Sequence, residues 1–74
     1  MRYIDPDGPI DVLRHELIEL VKEIIPSLST EDRILFQSEI IPLLRKNDDY
    51  VRAQARSFVK IAREHGLKVD LTFH

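Results

Sequence analysis

Four basic residues, Arg52, Arg56, Lys60 and Arg63, recur at helical intervals. At about 100° per residue they stack in one narrow band. Beside that band Val51, Ala55, Phe58, Val59 and Ala62 share an apolar face. Such a band has three possible uses: to face water, to dock an acidic protein surface, or to touch the phosphates of a nucleic acid. The last would make this helix the recognition helix of a three-helix unit. Phosphate contact alone is non-specific and strongly salt-dependent. The band holds no Asn, aromatic or Ser to read bases, and Gln54 and Ser57 lie around the corner. An earlier helical stretch carries the opposite sign: Glu16, Glu19 and Glu23 form an acidic stripe. Docking that stripe on the basic band of a second copy is the protein-binding reading.

Other residues with chemical potential are less well arranged. "DPDGPID" offers the oxygens of Asp5, Asp7 and Asp11, with Glu16 twelve positions into a loop begun at Asp5. An EF-hand needs Gly at about the sixth place and an entering helix. Here Gly8 falls fourth and Pro9 takes a ligand position, so turn and cap roles are expected. His15, His65 and His74 have no metal-site spacing. Carboxylate pairs such as Glu16 and Glu19 sit on a polar face, and acid–base work needs environments that push two pKa values apart. No nucleophile motif surrounds any Ser or Thr. The two glycines are too far apart to cradle a phosphate. No catalytic residue, metal or cofactor is therefore assigned, and no small-molecule substrate is expected.

The elements that position these residues are legible from punctuation. "MRYID" reads as extended, and "PDGP" breaks it. A first helix is predicted over 9–25, with Pro9 suited to its first position and Gly8 or Asp7 as cap. Pro26 stops it by disfavouring helical geometry in the residue before. A second helix is predicted over 30–46, opened by Ser29 as cap and by two acids in its first turn. Pro42 inside it costs a hydrogen bond and bends the axis. A third helix is predicted over 48–65, capped by Asn47 or Asp48 and ended by Gly66 in the left-handed conformation. The tail alternates Val69, Leu71, Phe73 against Lys68, Asp70, Thr72, a strand pattern. Its only candidate partner in the chain is residues 1–4, within one molecule or exchanged with a second copy. The expected fold is a single mainly α domain, a three-helix bundle-like unit with short extended termini.

The helical faces pose a burial problem. The first helix places Ile10, Leu13, Leu17, Leu20, Val21 and Ile24 on one face, widened by Ile18 and Ile25. The second places Ile34, Phe36, Ile40, Ile41, Leu43 and Leu44 over about half its circumference, more than the roughly 100° stripe an outer helix needs. A chain of 74 residues buries only about 60% of the surface its unfolded form exposes. Either the tail strand covers the surplus with Leu71 and Phe73, or a second copy does. The homodimer is the favoured expectation.

Residues 39–63, "EIIPLLRKNDDYVRAQARSFVKIAR", resemble one HEAT-type helical hairpin. Pro42, the Leu43-Leu44 pair, Asp48 and Val51-Arg52 occupy the places such repeats give to a proline, a paired Leu, an acidic turn and a Val-Arg opening. Ala55 and Val59 continue the inward pattern. One copy is present, whereas a stacked array needs about three. The resemblance implies a local hairpin and a bias toward protein binding. It also implies a structural role for Arg52, holding the turn through Asp48 or Asp49.

Composition fits these expectations. Hydrophobic residues make up 43% and charged residues 32%, ordinary for a folded domain. The net charge of −2 argues against a dedicated nucleic-acid binder, which has a basic surplus. With no Cys there is no disulfide and no thiolate. The N-terminal segment carries three Asp and no apolar core, so it reads as no signal peptide, and the chain is expected to start at its native Met. No apolar run reaches the ~20 residues of a membrane span, and a cytoplasmic location is expected. The functional expectation is a non-enzymatic protein–protein interaction module that self-associates, whether adaptor, accessory subunit or inhibitor. Its contact surface is the apolar excess of the first two helices, with Arg52, Arg56, Lys60, Arg63, Glu16, Glu19 and Glu23 as partner-binding charges. The alternative is a small nucleic-acid-binding regulator using the third helix.

Overall fold

Three helical segments and two short terminal strands make up the chain, as seen in a computed structural model that describes residues 1–73. Strand β1 (Arg2–Ile4) leads through a turn into α1 (Ile10–Ile24). A 3-10 turn (Ile25–Ser27) follows, absorbing Pro26 where the α-helix has to stop. The middle helix, 30–46, is α2 (Thr30–Leu35), a π-helical turn (Phe36–Ile40) and α3 (Ile41–Lys46) in direct succession. Helix α4 (Asp48–Glu64) and strand β2 (Val69–Leu71) complete the fold.

The turn chemistry explains most boundaries. Asp5 Oδ1 accepts from the Asp7 amide at 3.0 Å, and the Asp5 carbonyl accepts from Gly8 at 3.2 Å. The "DPDG" carboxylates thus shape a turn, as their spacing suggested. Neither Gly8 nor Asp7 caps α1, however. The N-cap position is Pro9, which has no side-chain acceptor to offer the first amides of the helix. Ser29 Oγ accepts from Asp32 N at 3.3 Å, and Asn47 Oδ1 accepts from Tyr50 N at 2.9 Å. Each meets one orphan amide of a helix start. Gly66 has φ of +85°, the left-handed conformation that Gly adopts without a Cβ penalty.

Pro42 acts differently from a plain kink. It offers no N–H to the turn before it. The chain responds with a π turn in which Ile41 N donates to Phe36 O, five residues back. Ser38 Oγ donates to the Ile34 carbonyl at 2.6 Å inside the same region. A π turn takes up one extra residue, so positions eight apart across it come into line. Phe36 and Leu44 then share one side, and Leu35 and Leu43 share another.

The two strands pair parallel within one molecule, Arg2 with Val69, Tyr3 with Asp70 and Ile4 with Leu71. Strand exchange is not needed to satisfy the tail. The pairing is parallel because the whole helical body is the crossover between them. Ile4 and Val69 turn into the core. That core consists of Leu13, Leu17, Leu20, Val21 and Ile24 of α1 against Val51, Ala55, Phe58, Val59 and Ala62 of α4. Of the middle helix only Leu44 is fully buried.

Candidate functional site

The middle helix is the place where the packing stays incomplete. Ile34 is 60% exposed and Leu35 and Leu43 are each 41% exposed. Phe36, Ile40 and Ile41 are half-buried. Two anchors hold this helix to the body. Leu44 is fully enclosed, and the Phe36 ring lies 6.2 Å from the Phe58 ring of α4. Tyr50 adds an edge contact to Phe58 at 6.5 Å, and its burial pushes the phenol pKa above the ordinary 10.0. The surface that faces away from these anchors has nothing over it.

The tail strand does not cover it. β2 packs on α4 and β1, with no comparable contact to the middle helix. Leu71 is half-buried and Phe73 is 84% exposed. His74 lies outside the described residues. The excess expected on α1 is absent: its wide face is enclosed mainly by α4 and the middle helix, in one core with Ile4 and Val69 of the strands, and only Val12 stays over half exposed, at 52%.

The charged stripes have been partly drawn into the fold. Arg52 Nη1 donates to the carbonyls of Pro6 at 2.9 Å and Gly8 at 2.6 Å. This corrects the expected bridge to Asp48 or Asp49. Arg52 fastens the N-terminal turn to α4, and Asp48 is bridged by Arg14 instead. Arg14 also donates to the Leu44 carbonyl at 2.8 Å, so one guanidinium joins α1, the end of the middle helix and the start of α4. No sequence pattern singled out Arg14, because it stands at the edge of α1's apolar face like any solvated Arg. Arg63 pairs with Asp70 of β2 at 3.3 Å. Arg56 and Lys60 have no ion pair or hydrogen bond among the described residues.

Arg56, Lys60 and Arg63, with Glu64 and Asp70, rim an open hollow of about 450 Å³ between α4 and β2, where Val59 and Leu71 supply the apolar lining. On α1, Glu23 pairs with Arg2 of β1 at 2.7 Å and Glu19 lies 3.9 Å from Lys22. Glu16 Oε2 is buried without a hydrogen-bond partner among the described residues. Glu23 thus ties to β1 and Arg63 to β2, and no ion pair joins the acidic stripe to the basic one among the described residues.

His15 is exposed on α1 and His65 is the C-cap of α4. No helix among the described residues is long and apolar enough to cross a membrane. No protein-family model, curated protein or solved structure matches the chain.

Proposed function

We propose that this chain is a non-enzymatic protein–protein interaction module that self-associates, in the manner of an adaptor, accessory subunit or small inhibitor. One observation carries the reading: Ile34, Leu35 and Leu43 stand exposed on a helix whose other side is already spent on Leu44 and Phe36. Large aliphatic groups left in water lose roughly 25 cal/mol for each Å² that a partner could cover. The likeness of residues 39–63 to a HEAT-type hairpin adds a bias toward protein binding. Arg56 and Lys60, free of ion pairs and hydrogen bonds among the described residues, supply charge for orienting a partner with an acidic face such as Glu16 and Glu19. Charges of this kind add more to encounter rate and specificity than to affinity.

Sedimentation equilibrium from micromolar to near-millimolar concentration tests the reading. A mass rising above 8.7 kDa with concentration supports it, and a constant 8.7 kDa over the whole range contradicts it. A second reading, nucleic-acid contact through α4, is favoured by the same two free cations. Titration with DNA and RNA at low salt separates the two, because low salt is the most permissive condition for phosphate contact. Absence of binding there removes the second reading.

A further inference from the structure

We propose that the solvent face of the middle helix pairs with the same face of a second copy, antiparallel and about a two-fold axis. The inference rests on the self-association reading above and names its surface and geometry.

The helix is electrically bipolar. Glu31 and Asp32 stand in its first turn and Arg45 and Lys46 in its last. All four are exposed, and none joins an ion pair among the described residues. Between these ends lie the exposed Ile34, Leu35 and Leu43. At 100° per residue, corrected for the π turn, Glu31, Ile34, Leu35, Leu43 and Lys46 fall on the outward half, away from Phe36 and Leu44. The centre of that face is Ser38, a small residue whose hydroxyl is already spent on the Ile34 carbonyl. Two helices can therefore approach closely there without stranding a polar group.

A two-fold axis passing between Ser38 and Glu39 makes the face complementary to itself. Glu31 then meets Lys46 of the second copy, Ile34 meets Leu43, and Leu35 meets Pro42. Glu39 and its symmetry mate both lie beside the axis, about 1.5 Å apart in axial rise, so the two carboxylates have to swing out to the solvent edge of the contact. A parallel arrangement would instead set acid against acid and base against base. Antiparallel packing also opposes the two helix dipoles. An isologous contact of this kind closes after two copies, so it makes a dimer and not a fibre. The face is about 25 Å long, small for a specific interface, so the expected affinity is micromolar or weaker.

The end charges would also arise if they served only the helix's own dipole, and the test separates the two roles. Two charge-reversed chains are prepared, one with Glu31→Lys and Asp32→Lys, the other with Arg45→Glu and Lys46→Glu. Each alone should self-associate about tenfold more weakly than the parent, or less. An equimolar mixture should recover association as a heterodimer, which a dipole role does not predict. Because the chain lacks Cys, S38C provides a second readout independent of helix stability. Mild oxidation should link it to dimer much faster than S57C, placed on the exposed side of α4. A mixture no more associated than its components, or S38C linking no faster than S57C, overturns the proposal. If the parent chain nevertheless gains mass with concentration, self-association stands and this surface is wrong. If the parent stays at 8.7 kDa, both fall together.

Discussion

Helix α1 and the middle helix are both rich in large aliphatic side chains, and they end in different environments. Six residues of α1 are buried, whereas between 30 and 46 only Leu44 is. The difference lies in neighbours. α1 has α4 along one side and the end of the middle helix against another, and it shares one core with Ile4 and Val69 of the strands. The middle helix meets α1 and α4 along one side only, and no other described element lies against its opposite side. Hydrophobicity marks what should be hidden, but the number of elements available decides what is hidden. In a small domain that number runs out early.

The comparison can be broken by substitutions on the two helices. Leu17→Ala empties a site with no exposed surface and should cost about 2–5 kcal/mol. A core this small supplies roughly 3–5 kcal/mol in all, so the variant should be largely unfolded by circular dichroism. Ile34→Ala in dilute solution should change the unfolding free energy read from urea titration by no more than about 0.5 kcal/mol. Equal losses for the two would mean that the middle helix is packed as tightly as α1.

A smaller effect is expected where one charged side chain fastens the N-terminal turn. Arg52→Ala removes both bonds to the Pro6 and Gly8 carbonyls and should cost about 1–2 kcal/mol. Arg56→Ala, one turn away with no partner, should be close to neutral. Similar costs at both positions would show that the tie contributes nothing. Smallest are the caps. Asn47→Ala should cost about 1 kcal/mol and Ser29→Ala about half of that, since the Ser29 bond is longer and opens the less buried helix. A larger cost at Ser29 would indicate that the middle helix is more strongly coupled to the core than its exposure implies.

Much of the architecture could be read from residues. The three helices, the Ser29 and Asn47 caps and the left-handed Gly66 follow from local rules of turn chemistry and periodicity, whereas the pairing of residues 1–4 with the tail stood open between one molecule and two until the fold placed it within one. The π turn was not legible, because a constant 100° step assumes an undisturbed helix. Pro42 was the signal, and the extra residue of the π turn rotates Leu43 away from the side that Phe36 and Leu44 share. Burial of α1's wide face was also invisible from one helix at a time, since it depends on three elements converging. Arg14 and Arg52 make long-range bonds to backbone carbonyls, which no spacing in the sequence encodes. The charges proposed for partner binding were visible as stripes. Which of them remain free, Arg56 and Lys60 but not Arg52 or Arg63, depended on the fold.

Amide hydrogen exchange followed at two protein concentrations tests the central claim most directly. In dilute solution the amides of α1 and α4 should be protected to the level of global unfolding, while those of residues 31–45 exchange through local opening. Raising the concentration to near-millimolar should slow exchange in residues 31–45 and leave α1 and α4 unchanged. Equal protection of all three helices at both concentrations would contradict the account, because the middle helix would then need nothing to cover it.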